Sequence, residues 1–301
     1  MAEVASLQDQ MLLTHFIVSD DVERSRRFYT DVLGGRVAFS SPGGPTNIAL
    51  SNGWIVINAG GGPTDDKPEV TLATPHDPHR VSSFVNIRVK DIATVHSAWT
   101  ARGAQFLTPP KQHQYEIRCY VRDPDGHLIE VGQTTDPRGD WVPDHWPESP
   151  PAEELPAPPP GIVLTHFIVS DDVERSRRFY TDVLGGTHAF SGPGGLTYVR
   201  LSNSWVIINV GGGPTDDKPA VTLAAPSDLN RVSSFLNLRV TDAHAAFTEW
   251  SARGAEFLTP PKQHEYEIRC YIRDPDGHLI EVGQTTDPGG DWFPDQWQST
   301  A

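Results

Sequence analysis

The chain is an internal repeat. The segment LTHFIVSDDVERSRRFYTDVLGG occurs at 13–35 and again, unchanged, at 164–186. Corresponding residues such as His15 and His166 keep a constant interval along both copies, so no insertion or deletion separates them. A repeat unit of this length is typical of one domain, and the sequence therefore predicts two domains of the same fold.

A stretch rich in proline and glutamate, ESPPAEELPAPPP, predicts an extended, semi-rigid linker at 148–160. The first domain is then expected at 10–147 and the second at 161–298. We expect the chain to form either a pseudo-twofold monomer or a homodimer, because the duplication supplies two similar halves.

The composition excludes several classes of partner. The formal net charge of −15 repels phosphate backbones and anionic lipids, so we expect neither nucleic acid nor a membrane surface as partner. No apolar run is long enough to span a membrane, and the first residues lack the pattern of a secretory signal. The two cysteines occupy the same place in both copies, which excludes a disulfide framework and favours a cytoplasmic protein.

Each copy is predicted to contain a strand–helix–three-strand (βαβββ) module twice, because period-two and helical apolar patterns alternate along it. In the first copy the predicted elements are a strand at 12–19, a helix at 22–32, strands near 36–40, 46–51 and 54–58, a strand at 84–89, a helix at 92–102, and strands at 104–107, 115–122 and 127–133. Such a module leaves one apolar sheet face that must pack against a partner, and the fold class is α+β.

The last hairpin carries the most informative polar residues. The turn Pro124-Asp125-Gly126 predicts that Tyr120 lies directly opposite Glu130. Period two puts Glu116, Arg118 and Tyr120 on the same face as Glu130. If that face is concave, a carboxylate, a phenol and a guanidinium meet inside a sheet and require partners or a ligand. The alternative is an ion pair between Glu116 and Arg118 on the outer face.

His15 lies in an otherwise apolar strand, where a single histidine is more often a hydrogen-bonded core residue than a ligand. Together, His15, the helix DDVERSRRFYTDVLGG, the DPDG turn and Glu130 resemble the vicinal oxygen chelate superfamily, which includes glyoxalases, bleomycin-resistance proteins and extradiol dioxygenases. The resemblance covers nearly all of both copies. It implies two tandem glyoxalase-like domains, each a pair of βαβββ modules forming a half-open barrel.

The resemblance also implies candidate site residues. His15 and Glu130, repeated as His166 and Glu281, would bind one divalent metal ion per site, which would be Fe, Mn, Zn or Ni. The other candidates are, for catalysis, His113, Glu116 and Tyr120 with their repeats His264, Glu267 and Tyr271, and, for substrate, Asn86 and Arg118 with their repeats Asn237 and Arg269.

One departure affects the metal site. Asn86 and Asn237 stand where the superfamily places a third histidine ligand, so a third ligand would have to come from Asn86, water, the substrate or Glu116. The pairing of modules is also open: His15 would meet Glu130 within a domain, or Glu281 in a swapped arrangement.

Two functions remain open. The first is a metal-dependent enzyme, a lyase or isomerase of the glyoxalase kind or a dioxygenase-like enzyme, acting on a small oxygenated metabolite. The second is a non-enzymatic protein of the bleomycin-resistance type that sequesters a small molecule. The copies differ where Asn47 and Ala49 become Tyr198 and Arg200, which indicates either surface drift or two pockets of different preference.

Overall fold

The computed structural model describes residues 11–136 and 162–287 and confirms the α+β fold. The predicted linker 148–160 and the ends of the predicted domains lie outside these ranges, so the domain bounds stay predictions. The elements of the first repeat are β1 (Met11–Ser19), α1 (Val22–Arg27), β2 (Arg36–Ser40), β3 (Thr46–Leu50), β4 (Gly53–Ala59), β5 (Thr71–Leu72), β6 (Arg80–Val81), β7 (Ser83–Val89), α2 (Ile92–Ala101), β8 (Lys111–Gln112), β9 (Glu116–Arg122) and β10 (Leu128–Thr134).

The second repeat follows the same order with small differences. Its elements are β11 (Ile162–Val169), α3 (Val173–Arg178), β12 (Thr187–Ser191), β13 (Thr197–Leu201), β14 (Ser204–Asn209), β15 (Thr222–Leu223), β16 (Arg231–Val232), β17 (Ser234–Val240), α4 (Ala243–Ala252), β18 (Glu256–Phe257), β19 (Lys262–Gln263), β20 (Glu267–Arg273) and β21 (Leu279–Thr285). The strand predicted at 104–107 forms only an isolated bridge from Phe106 to Val121 in the first repeat. None of the described helices is long and apolar enough to cross a membrane.

The first helix begins and ends as its sequence predicts. The side chain of Asp21 accepts a hydrogen bond from the backbone N–H of Arg24 and caps the first turn. The helix then continues as a π-helical turn over Phe28–Val32. Gly34 follows with a φ of 86°, a left-handed conformation that costs glycine little. The predicted helix at 22–32 is therefore confirmed.

Each of the two large sheets combines strands from both repeats. The first runs β2-β3-β4-β1-β17-β21-β20-β18, with β19 also paired to β20, and the second runs β12-β13-β14-β11-β7-β10-β9-β8. At the centre of the first, β1 pairs antiparallel with β17, and at the centre of the second, β11 pairs antiparallel with β7. The fold therefore adopts the swapped pairing of modules. We call the two sheets the first and second half-barrels.

Helices cover one face of each half-barrel. Leu238 of β17 and Trp250 of α4 belong to one buried apolar cluster on that face. On the opposite face, Phe16 and Phe235 stack with ring centroids 4.4 Å apart and pack against Leu72 from the loop region after β4. All nine residues of β1 are consequently buried, because the strand is covered on both sides.

Contacts between equivalent residues mark a pseudo-twofold axis between the half-barrels. Asn52 donates from Nδ2 to the carbonyl of Leu164 and accepts from the N–H of Leu164. Asn203 makes the same pair of hydrogen bonds with Leu13. The side-chain oxygens of Ser83 and Ser234 lie 3.4 Å apart on the same axis. The repeats are therefore joined by reciprocal hydrogen bonds as well as by shared sheets.

Candidate functional site

The inner face of each half-barrel is the face that its helices leave uncovered. In the first half-barrel, Thr14 lies directly opposite Asn237, and Asn237 lies beside Glu281 in the next strand. Side chains at such paired positions share one face of a sheet, and Phe16 and Phe235 lie on this same face. We call the space before this face the first lumen, and its counterpart in the second half-barrel, around Glu130, the second lumen.

In the second lumen, three predicted site residues form one hydrogen-bonded group. Glu130 is buried, with 4% of its surface exposed. Its Oε1 accepts a hydrogen bond from Asn86 Nδ2 at 2.7 Å, and its Oε2 accepts one from the Tyr120 hydroxyl at 2.7 Å. Tyr120 lies directly opposite Glu130 in the hairpin, so the predicted register is confirmed.

The first lumen repeats this group with Glu281. Its carboxylate accepts from Asn237 Nδ2 at 2.9 Å and from the Tyr271 hydroxyl at 2.6 Å. Burial raises the pKa of Glu281 above its ordinary value, and the negative charge of Glu267 raises that pKa further. The same causes raise the pKa of Glu130 in the second lumen.

The two asparagines of these groups each leave one acceptor unsatisfied. Their Nδ2 atoms are used by the glutamates, and Asn86 and Asn237 are only 2% and 3% exposed. Among the described residues, no donor reaches Asn86 Oδ1 or Asn237 Oδ1. Buried amide oxygens are rarely left without a partner, so these atoms indicate a place for an N–H or O–H group from outside the protein.

A second layer of charge surrounds each group. In the second lumen, Arg88 Nη1 lies 3.0 Å from Glu116 Oε2 and 3.8 Å from Glu130 Oε1. Arg118 donates to Glu116 at 2.8 Å and also binds Asp217, which comes from a loop of the other repeat. Although burial raises the pKa of Glu116, the guanidiniums of Arg88 and Arg118 lower it below its ordinary value. Glu267, Arg269, Arg239 and Asp66 repeat this layer in the first lumen.

Sequence reasoning missed Arg88 and its repeat Arg239, although both are almost fully buried. The available signal was a glycine inside the last strand, which often marks close approach of another group. A Cβ atom on Gly132 would lie 2.1 Å from Arg88 Nη1, and one on Gly283 would lie 2.1 Å from Arg239 Nη1. Glycine at these positions therefore makes room for the guanidinium.

His113 and His264 lie beside the charged layer. His113 Nε2 is 2.9 Å from Asp217 Oδ2, the oxygen that also binds Arg118. His264 Nε2 has the same relation to Asp66. The structure thus joins the predicted acid–base histidines to aspartates that the sequence analysis did not select, since each aspartate comes from the other repeat.

The predicted metal histidines do not meet the glutamates. His15 lies opposite Leu236, on the helix-covered face, whereas Glu281 lies on the inner face. The Nδ1 atom of His15 is instead 3.1 Å from His166 Nδ1, and the two rings stack with centroids 5.3 Å apart. The predicted pairing of His15 with Glu130 or Glu281 is therefore wrong. The physical reason is strand parity, because Thr14 is the residue of β1 that faces the lumen.

The donor set around each glutamate does not suit a divalent metal ion. Both oxygens of Glu130 already accept hydrogen bonds, a guanidinium lies 3.8 Å away, and no imidazole of the described residues shares this group. Imidazole and carboxylate donors do cluster elsewhere, as His113, Asp216 and Asp217 and as His264, Asp65 and Asp66, with ligand atoms within 4.8 Å of one another. These two clusters have the chemistry of a metal site, although Arg118 and Arg269 already bind one aspartate in each.

The two lumens differ at one wall position. Tyr198 of β13 is buried in the second lumen, where it joins an apolar cluster with Phe84 and Tyr120, and Tyr115 packs against this cluster. The equivalent position in the first lumen carries Asn47, a smaller side chain. The repeat of Tyr115, Tyr266, is 50% exposed. Aromatic side chains therefore fill more of the second lumen than of the first.

Comparison with known proteins agrees with this architecture. The family model described as "Glyoxalase/Bleomycin resistance protein/Dioxygenase superfamily" matches residues 11–131 and 163–282. Glyoxalase I from Zea mays superposes with a TM-score of 0.60 at 13% sequence identity, over 97% of this chain and 98% of that one. A putative dioxygenase from Bacillus subtilis subsp. subtilis str. 168 superposes with a TM-score of 0.54 at 13% identity, over 97% and 91%. No curated protein matches the sequence significantly.

Proposed function

Because the chain belongs to the glyoxalase/bleomycin resistance protein/dioxygenase superfamily, we propose that it binds a small oxygenated molecule in the first lumen, through direct hydrogen bonds to the Glu281 group. The observation that carries this proposal is the buried, unsatisfied Oδ1 of Asn237 beside the Glu281 carboxylate. A ligand hydroxyl or amine would satisfy that oxygen, and the carboxyl group would receive or donate a second hydrogen bond. This is the binding and sequestration alternative of the sequence analysis.

The first lumen is favoured over the second because Asn47 occupies the position that Tyr198 fills. Both lumens otherwise contain the same hydrogen-bonded group of a glutamate, an asparagine and a tyrosine, with similar hydrogen-bond lengths. The second lumen thus provides a matched control within the same chain.

The experiment titrates the full chain by calorimetry with three probes, one for each class in the superfamily name. These are the hemithioacetal of methylglyoxal and glutathione, bleomycin A2, and catechol. We expect one of them to bind with one site per chain in the presence of EDTA. The change Glu281→Gln should weaken binding by at least about tenfold, because a charge-assisted hydrogen bond is lost, whereas Glu130→Gln should leave it unchanged. Saturable binding by none of the three, or equal effects of both changes, would contradict the proposal.

The second candidate is the metal-dependent enzyme, which would act as a glyoxalase-like lyase or isomerase or in a dioxygenase-like reaction. It is favoured by the two histidine–aspartate clusters rather than by the predicted His15–Glu130 pair. Elemental analysis of the purified chain tests it. A stoichiometric divalent metal that is partly lost on Asp216→Asn with Asp217→Asn, and wholly lost when Asp65→Asn and Asp66→Asn are added, would support this candidate over the first, together with binding that EDTA abolishes.

A further inference from the structure

A cleft of about 230 Å³ lies between the two repeats, apart from both Glu groups. Its lining consists of corresponding residues from the two copies, including Ser83 and Ser234, whose contact marks the pseudo-twofold axis. None of the residues that line it belongs to the Glu130 or Glu281 group. A ligand in this cleft would therefore contact both repeats without touching either Glu group.

Two arginines line the cleft, one from each repeat. Arg80 donates from Nη2 to the carbonyl of Ala225 in the other repeat at 3.2 Å, and Arg231 donates to the carbonyl of Thr74 at 3.3 Å. Within residues 11–136 and 162–287, neither guanidinium forms an ion pair with a carboxylate. Each therefore retains most of its five N–H donors for a ligand.

The other charged groups of the cleft are two aspartates, and each binds its own loop. Asp77 accepts a hydrogen bond from the backbone N–H of His79 at 2.8 Å, and Asp228 accepts one from Asn230 at 3.0 Å. The remaining lining is largely small side chains, among them alanine, serine, threonine and proline. The donors that converge on the cleft without a partner of opposite charge are thus the two guanidiniums.

Neighbouring side chains fix the wall of the cleft. Arg122 donates to the carbonyl of Gly126 at 2.7 Å and to the carbonyl of Pro78, and both of these residues line the cleft. Arg273 makes the equivalent bond to Gly277 at 2.9 Å in the second repeat. The loops that carry Arg80 and Arg231 are also held by the short parallel ladders β6–β15 and β5–β16, which join the repeats. These hydrogen bonds therefore fix the backbone that carries Arg80 and Arg231.

We propose that this axial cleft binds a small dianion, a short dicarboxylate or a phosphate, between Arg80 and Arg231. Guanidinium groups recognise carboxylate and phosphate oxygens through paired N–H donors. Two such groups that line one cleft, one from each repeat, match a ligand with anionic oxygens at both ends. The cleft of about 230 Å³ has room for a ligand of this size.

The test uses calorimetry of the full chain with succinate and, separately, inorganic phosphate, with sodium chloride at matched ionic strength as reference. We expect saturable binding of one ion per chain by succinate or by phosphate, and the one that binds more tightly identifies the ligand class. Arg80→Gln with Arg231→Gln should weaken binding by about a hundredfold, since each arginine contributes charge-assisted hydrogen bonds. Arg80→Lys with Arg231→Lys keeps the charge, loses the paired donors and should bind with intermediate affinity.

The matched control is Arg102→Gln with Arg253→Gln. These arginines are also exposed and donate to the backbone carbonyls of Val32 and Val183, but they lie outside the cleft. Their replacement should leave binding unchanged, as should Glu281→Gln, which separates this site from the lumen. Binding no tighter than chloride, or equal loss in the control pair, would overturn the proposal.

Discussion

At the scale of single residues, burial on both faces decides what His15 does. A strand with one exposed face shows alternating apolar and polar residues, and that alternation reveals which side chains face inward. All of β1 is buried, so its sequence carries no such signal. His15 therefore packs between the half-barrels against His166, and the lumen receives Thr14 instead.

The histidine pair predicts a loss of stability in acid. Burial lowers the pKa of His15 well below 6.5, with the His166 ring adding to the effect, and burial lowers the pKa of His166 to about 3. Below about pH 6.5 the unfolded state therefore binds more protons than the folded state does. The stability that the two neutral histidines permit is fully present above that pH and is lost as the pH falls. Below about pH 6 we expect the free energy of unfolding to decrease by about 1.4 kcal/mol per pH unit for each of the two histidines that is protonated only in the unfolded state.

Urea unfolding at pH 7.5, 6.0 and 5.0 measures this dependence. The double change His15→Leu and His166→Leu should reduce the slope, because neither side chain can then be protonated in the unfolded state. Replacing the exposed His76 and His79 by glutamine serves as control and should retain the slope of the unchanged chain. An equal slope in the leucine variant would show that other groups cause the acid sensitivity.

Gly132 provides a second test at this scale. Its absent side chain leaves room for the buried guanidinium of Arg88, 2.1 Å from the position of a Cβ atom. The change Gly132→Ala should lower the free energy of unfolding by about 1–3 kcal/mol, as overpacking does. Urea unfolding measures it, with Gly62→Ala as control because no atom lies within 4 Å of that added Cβ. A neutral Gly132→Ala would mean that Arg88 shifts without cost.

At the scale of elements, local patterns predicted most of the fold. The cap at Asp21, the glycine after the helix and the hairpin turn are signals that depend on neighbours in sequence. The predicted bounds agree with the structure to within one or two residues, except for the strand predicted at 104–107, which forms only an isolated bridge. The register of Tyr120 opposite Glu130 follows from the turn length alone.

The parts of the site that could not be predicted come from contacts distant in sequence. Asp217 binds Arg118 across the boundary between repeats, and the face of β1 is set by its pairing with β17. Neither relation leaves a periodic trace in the local sequence. Tyr120 and Glu130 were predicted because they pair within a local hairpin. Asn86 was predicted because it stands at a position where the resemblance places a site residue.

At the scale of the whole molecule, the repeats share their sheets. The central ladder of each half-barrel runs between a strand of one repeat and a strand of the other, over seven residue pairs in the first half-barrel. An isolated repeat would expose the inner edge of β1 and of β7. Exposed strand edges of this kind pair with another chain when one is available.

We therefore expect residues 11–136, produced alone, to form a homodimer in which β1 of one copy pairs with β7 of the other. Light scattering coupled to size-exclusion chromatography measures the mass. Mixing this fragment with residues 162–287 should give a heterodimer, because the two repeats present equivalent edges. A stable, compact monomer of 11–136 would show that modules of one repeat can close on each other.

The shared sheets also have a consequence for how the two copies diverge. Every lumen is built from both halves of the duplicated sequence, yet a residue such as Asn47 or Tyr198 reaches only one of them. A substitution at such a position changes one lumen and leaves the other unaltered. In a homodimer of single repeats, each mutation changes both lumens at once. Fusion of the two copies therefore allows one lumen to acquire a new ligand preference while the other keeps its original residues.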